Sequence, residues 1–85
     1  MHEDARLDGN AAAGLLSELF TPEATTAVAR CAGCGRTGAV GAAEVYADGP
    51  GMVLRCPGCE AVLMRFARIR GRLVADLRGV GTLTF

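Results

Sequence analysis

Two C-x-x-C units constrain this chain more than any other feature of its sequence. They read C-A-G-C at residues 31–34 and C-P-G-C at residues 56–59, and each follows an arginine. Together they contain every cysteine of the chain: Cys31, Cys34, Cys56 and Cys59. Two cysteines three positions apart direct both sulfurs to one point when the backbone between them turns tightly. The repeat therefore predicts two cysteine-bearing turns, which we call knuckles, that share one metal ion.

Four thiolates are the typical ligand set of structural zinc, which they bind as a tetrahedron with Zn–S distances of about 2.3 Å. Gly33, Gly35 and Gly58 lie within or beside the knuckles, and we expect them to supply the positive φ angles that such a bend needs. Because four sulfurs fill the coordination sphere, no position stays open for a catalytic water. We predict one structural Zn²⁺ ion.

Other uses of the cysteines stay open as alternatives. A tetrahedron of sulfurs also suits a single iron ion or an iron–sulfur centre. A redox dithiol typically uses one C-x-x-C near a βαβ pattern, whereas this chain has two units and no such pattern. A thiol-based sensor would release its zinc on oxidation. Structural zinc is the favoured interpretation.

The small size of the chain strengthens the metal prediction. The 85 residues allow one domain at most, and 15 of the apolar residues are alanines, which bury little surface. A hydrophobic core of this size rarely contributes more than about 3–5 kcal/mol to the net stability of the fold. Zinc binding in zinc-finger peptides is worth about 10–16 kcal/mol and appears as folding free energy. We expect the metal to decide whether the protein folds.

The chain is predicted to hold a flexible segment over residues 1–8 and one domain over residues 9–85. Alanines and apolar residues at three- and four-residue spacing predict a helix over residues 9–20. We expect Asp8 or Asn10 to cap it and Thr21-Pro22 to end it. Strands are predicted over residues 25–30, 38–47, 52–55, 61–69, 72–77 and 82–85. The fold class is then small α+β: an antiparallel zinc-ribbon sheet with the helix packed on it.

The strand at residues 61–69 is apolar on both of its predicted faces. One face is expected to carry Val62, Met64 and Phe66, and the other Leu63, Ala67 and Ile69. A strand of this kind needs cover on both sides. The N-terminal helix and a second copy of the protein are the two candidates for that cover.

Arginines form the second group of candidate contact residues. Five crowd the C-terminal part of the chain: Arg65, Arg68, Arg70, Arg72 and Arg78. They are candidates for binding nucleic-acid phosphates or an acidic protein, for pairing with the acidic N-terminal segment, or for a solvated edge that blocks strand aggregation. Zero net charge, the absence of lysine and few aromatic residues argue against nucleic acid.

Three further arginines, Arg30, Arg36 and Arg55, lie within two residues of a cysteine. Either they balance part of the −2 charge of a Zn²⁺ ion bound by four thiolates, or they are solvated strand ends. Both interpretations stay open.

No pattern indicates catalysis, targeting or a membrane span. His2 is the only histidine, and no Ser/His/Asp set or glycine-rich phosphate loop is visible. Residues 1–8 lack the apolar run of a signal peptide, and no segment approaches the roughly 18 apolar residues of a membrane span. We expect a cytoplasmic protein, since thiols stay reduced there. We expect neither an enzyme nor a small-molecule substrate.

Segments inside and outside the knuckles carry a family resemblance. They read L-D-G-N-A at residues 7–11, L-F at 19–20, R-C-A-G-C-G at 30–35, R-C-P-G-C at 55–59 and D-L-R-G-V at 76–80. In these segments the chain resembles a family of short bacterial, chiefly actinobacterial, zinc-ribbon-like proteins with no assigned function. The resemblance covers nearly the whole chain. It implies a four-thiolate site at the four cysteines and a cytosolic setting, and it implies nothing about activity.

Taken together, these patterns predict a zinc-stabilised binding or adaptor module. It would contact a protein partner or form a homodimer through the helix and the apolar strand. The alternatives are a nucleic-acid-binding regulator that uses the C-terminal arginines and a thiol redox sensor.

Overall fold

The chain forms two antiparallel sheets. The computed structural model describes residues 6–48 and 51–85. In chain order the strands are β1 (Arg6–Asp8), β2 (Val28–Cys31), β3 (Thr37–Ala39), β4 (Glu44–Asp48), β5 (Gly51–Arg55), β6 (Val62–Ile69), β7 (Arg72–Asp76) and β8 (Val80–Thr84). The five-stranded sheet has the order β1-β4-β5-β6-β7, and the three-stranded sheet has the order β3-β2-β8. The predicted single sheet is therefore divided into two.

A short helical segment follows β1 and precedes the other strands, and its position agrees with the prediction. A 3-10 helix at Gly9–Ala12 continues into α1 (Ala13–Leu19), which agrees with the predicted helix over residues 9–20. Asp8 is the cap, because its carboxylate accepts a hydrogen bond from the Asn10 N–H at 3.1 Å. Within the described ranges, no helix is long and apolar enough to span a membrane.

Two predicted segments differ from the structure, and the strand predicted over residues 25–30 begins only at Val28. Residues 6–8 were expected to be flexible, but they form β1, which pairs with β4 over three residues. Residues 1–5, and with them His2, lie outside the described residues. The predicted strand over residues 38–47 is broken by a 3-10 helix at Val40–Ala42. Its Val40 and Gly41 N–H groups donate to Ala27 and Thr25, so the chain leaves one sheet here and enters the other.

The buried core joins the helix to the five-stranded sheet. Its largest side chains include Phe66, Leu16, Leu54 and Met64. Leu16 of α1 lies in the same buried cluster as Met64 and Phe66. Glu18 of α1 binds Arg68 on that face of β6, so the helix packs on the inner face, as predicted.

A bulge in β6 changes which residues lie on the second face predicted for this strand. The register between β5 and β6 shifts after Leu54, which pairs with Met64, whereas Arg55 pairs with Val62. Leu63 and Met64 are consecutive, yet both lie in the one buried cluster, because a bulge turns two neighbouring side chains the same way. Leu63 therefore does not share a face with Ala67 and Ile69. Ile69 is 53% exposed, so this part of the outer face has no cover within the described chain.

Candidate metal centre

The four cysteines meet where the two sheets approach each other. The first knuckle connects β2 to β3 in the three-stranded sheet, and the second connects β5 to β6 in the five-stranded sheet. All four Sγ atoms lie within 4.8 Å of one another. Cys31 and Cys56 are buried, whereas Cys34 and Cys59 are exposed. The prediction that both knuckles deliver their sulfurs to one point is confirmed.

The distances between sulfurs fit a tetrahedral metal site. Sγ atoms of different knuckles are 3.7 Å apart in two pairs, Cys31 with Cys59 and Cys34 with Cys56. A tetrahedron with Zn–S bonds of about 2.3 Å has S–S edges of about 3.8 Å. A disulfide would bring two sulfurs to about 2.05 Å, and all four thiols are free. The arrangement suits one metal ion with four thiolate ligands.

The two knuckles have the same pattern of main-chain hydrogen bonds. In the first, Cys31 receives the Gly35 N–H at its carbonyl and donates its own N–H to Arg36. In the second, Cys56 receives the Glu60 N–H and donates to Ala61. The N–H groups of Gly33 and Gly58 both donate to the sulfur of the preceding knuckle cysteine, at 3.3 Å. The sequence repeat R-C-x-G-C is thus a repeat of structure.

The left-handed residue was predicted correctly in the first knuckle, at Gly35, and missed in the second. Positive φ was also expected at Gly33 and Gly58, but these residues do not have it. The positive φ angles occur at Gly35, with φ of 80°, and at its counterpart Glu60, with φ of 64°. The knuckle needs this conformation at the fourth residue after its first cysteine, and only the first knuckle supplies a glycine there.

Hydrogen bonds to sulfur set the protonation of the thiols. The Cys34 N–H, assisted by that of Gly33 and opposed by burial, lowers the pKa of Cys31 to about 7. The Cys59 N–H, assisted by that of Gly58 and again opposed by burial, lowers the pKa of Cys56. The Ala61 N–H also acts to lower the pKa of Cys59, but burial and the neighbouring thiols outweigh it and raise that pKa to about 11. Main-chain donors therefore favour the thiolate at the first cysteine of each knuckle.

The three arginines beside the cysteines make different contacts with the knuckles. Arg55 donates to the carbonyl of Glu60 at 3.0 Å and lies 5.7 Å above the ring of Tyr46. The Arg36 side chain crosses to the opposite knuckle, where its Cδ would be 3.0 Å from a Cβ placed on Gly58. The Arg30 guanidinium lies beside Gly35 of its own knuckle. Positive charge thus surrounds both knuckles.

The five C-terminal arginines do not form one surface. Arg65 and Arg72 lie on the outer face of the β6–β7 hairpin, whereas Arg68 lies on the inner face, since strand neighbours alternate between faces. Arg70 lies in the turn that joins the two strands. The arginines of this hairpin are therefore divided between its two faces and the turn.

Two of these arginines are paired with acids. Arg68 binds Glu18 of α1, a pairing with the N-terminal part of the chain that the sequence had suggested. Arg78 binds Asp76 and, together with Arg65, lowers the pKa of Asp76 to about 2.

Two short motifs outside the knuckles also have a structural role, of which the sequence predicted only the cap at Asp8. In L-D-G-N and D-L-R-G the aspartate, Asp8 or Asp76, accepts the N–H of the residue two positions later, at 3.1 Å in both cases. The glycine of each motif lies against main chain, Gly9 against Val40 and Gly79 against Val62. The motifs are tight turns that dock onto neighbouring backbone.

Comparison with known proteins identifies a family but no activity. Searches of curated proteins and of solved structures found no match. One family, described as a family of unknown function and designated DUF6510, matches residues 2–85. Since this match covers nearly the whole chain, the protein belongs to the DUF6510 family.

Proposed function

We propose that this protein is a cytoplasmic binding module, stabilised by one zinc ion, that works through contact with another protein and carries no catalytic activity. The observation that supports zinc is the spacing of the four sulfurs, whose 3.7 Å separations match the edges of a ZnS₄ tetrahedron. Four thiolate ligands leave no open coordination position, which favours a structural role over a catalytic one.

An uncovered apolar surface supports contact with a protein. Ile69 and Val74 are 53% and 48% exposed, and Ala67 lies opposite Val74 on the same face of the hairpin. We call these three residues the outer strip. Neighbouring apolar side chains on one exposed surface are more typical of an interaction site than single scattered ones.

The arginines give less support to a nucleic-acid partner. Arg68 and Arg78 are bound to carboxylates, and the remaining charges are divided between the outer face and the turn. A nucleic-acid site would favour several cations on one surface and an affinity that falls steeply with salt.

The test is cross-linked capture from cytoplasmic extract with the purified, zinc-loaded protein. The variants are Ile69→Glu, in the outer strip, and Val28→Glu, a matched control on β2 of the other sheet, where Val28 is 43% exposed. A glutamate at position 69 lies opposite Arg72, so the hairpin keeps its pairing. We expect a captured protein that Val28→Glu retains and Ile69→Glu loses. Capture that both variants retain, or that nuclease treatment abolishes, would contradict the proposal.

A further inference from the structure

The free edge of β7 is the most regular open strand edge of the described chain. Four described strands end a sheet: β1, β3, β7 and β8. β1 and β3 span three residues each, and the register of β8 against β2 is shifted at Arg30/Cys31. β7 pairs with β6 over five residues without a shift. It contains neither a proline nor a bulge, two devices that block open edges.

The turn before β7 determines which of its main-chain groups point to that edge. Arg70 and Gly71 form a two-residue turn in which both φ angles are positive, 53° and 77°. In a hairpin of this type the flanking residues, Ile69 and Arg72, exchange hydrogen bonds, and so does every second pair beyond them. The N–H and C=O groups of Leu73 and Ala75 therefore point away from β6.

The side chains of β7 are complementary to those of a second, antiparallel β7. The strand reads R-L-V-A-D, which places a cation and an anion at equal distances from Val74. When two copies pair about a two-fold axis at Val74, Arg72 of each copy lies opposite Asp76 of the other. Leu73 lies opposite Ala75 of the second copy, and these pairs exchange the outward-pointing hydrogen bonds.

Other registers between the two β7 strands lack these Arg72–Asp76 pairs. A shift by one position sets the outward-pointing main-chain groups of one strand against inward-pointing groups of the other, so hydrogen bonds are lost. A shift by two positions places Val74 opposite either Arg72 or Asp76 of the second copy, which sets an apolar side chain against a charge. In the Val74-centred register, Arg72, Val74 and Asp76 all lie on the outer face. The outer strips of the two copies then meet at Val74.

We propose that β7 is a homodimerisation edge, through which two copies pair antiparallel around Val74 and join their five-stranded sheets into one. The inference rests on the proposed function as a protein-contact module, and it names a second copy of this chain as a partner. A single pair of short strands buries less surface than a standard interface. The dimer therefore dissociates on dilution.

Sedimentation velocity over a concentration series of purified, zinc-loaded protein tests the inference. We expect the wild-type protein to shift from monomer to dimer as concentration rises. Arg72→Asp converts both charge pairs into acid–acid pairs, and we expect it to weaken dimerisation by about 10- to 100-fold. Arg70→Asp makes the same charge change in the turn, outside the paired strands, and should leave the dimer intact.

A charge-swapped mixture supplies a positive control. Asp76→Arg alone places arginine opposite Arg72, and we expect it to be monomeric like Arg72→Asp. Mixed in equal amounts, the two variants face each other with opposite charges at both positions, so a heterodimer should form. Because Asp76→Arg also removes the partner of Arg78, its fold is checked by circular dichroism. Ala75→Pro provides a second disrupting variant, since it removes an N–H that points away from β6.

A wild-type protein that stays monomeric at every concentration would overturn the inference, as would a dimer that survives both Arg72→Asp and Ala75→Pro. These results are distinct from those of the capture experiment. A monomer that still captures a protein through Ile69 would overturn the dimer and keep the proposed function. A dimer that captures nothing would support the β7 pairing and contradict the outer strip as a site for another protein.

Discussion

At the scale of single residues, main-chain donors prepare the cysteines for a metal. In each knuckle the buried first cysteine receives an N–H from the residue two positions later. Hydrogen bonds to a thiolate favour the charged form over the neutral thiol, and the thiolate is the form that binds metal. Cys31 and Cys56 are therefore both core residues and candidate ligands.

Replacing an exposed ligand tests the site without changing the core. Cys59 is exposed, so its substitution leaves no buried cavity. We expect Cys59→Ser to lose most of the bound zinc and to unfold, and Cys59→His to keep zinc because three cysteines and one histidine form a common structural site. Metal content by mass spectrometry and far-ultraviolet circular dichroism measure both effects. Full zinc content in Cys59→Ser would show that Cys59 is not a ligand.

The left-handed residue of the second knuckle is a site for stabilisation. Glu60 has φ of 64°, a conformation that disfavours residues with a Cβ by about 1–2 kcal/mol. Part of this gain is offset because glycine loses more conformational entropy on folding than glutamate does. We therefore expect Glu60→Gly to raise the free energy of unfolding by about 0.5–1 kcal/mol. The reverse change, Gly35→Ala in the first knuckle, should lower it by about 1 kcal/mol. Thermal unfolding of the zinc-loaded variants measures both changes, and a lower melting temperature for Glu60→Gly would contradict the account.

At the scale of elements, glycines permit close contacts between main-chain segments. A Cβ at Gly79 would lie 1.8 Å from the Val62 carbonyl oxygen, and one at Gly51 would lie 2.0 Å from that of Phe66. Neither distance is sterically possible, so a larger residue would force the strands apart. Because they have no side chain, these glycines allow the chain after β7 and the start of β5 to lie against β6.

A matched pair of glycine substitutions tests these contacts. We expect Gly79→Ala to destabilise the protein by about 1–3 kcal/mol, because the added methyl group has no room beside Val62. Gly38→Ala, on β3, meets no atom within 4 Å and should change stability by less than about 1 kcal/mol, in the stabilising direction. Each kcal/mol corresponds to roughly 4–8 °C in melting temperature for a domain of this size. Equal effects of the two substitutions would contradict the close contact at Gly79.

The sequence predicted the elements that local patterns determine and missed those that depend on distant partners. The helix and the β6–β7 hairpin follow from apolar spacing and from Gly71 at the turn. β1 is three residues long and exists only because β4 pairs with it. The division of residues 38–47 between two sheets depends on main-chain bonds from Val40 and Gly41 to the segment before β2. No local pattern signals contacts of this kind.

At the scale of the whole molecule, the four-cysteine cluster lies where the two sheets meet. One knuckle belongs to each sheet, and their sulfurs lie within 4.8 Å of one another. The clustering of the cysteines was predictable because two C-x-x-C units form a local signal. The division into two sheets was not, since it is determined by pairings such as β2 with β8, far apart in the chain.

We expect one metal ion to join the two sheets and to make so small a protein fold. The most direct measurement combines zinc content with circular dichroism on one reduced sample, before and after treatment with a strong chelator and again after zinc is returned. We predict one zinc ion per chain, loss of the folded spectrum when zinc is removed, and its recovery when zinc is restored. A chain that keeps its folded spectrum without metal would contradict the claim.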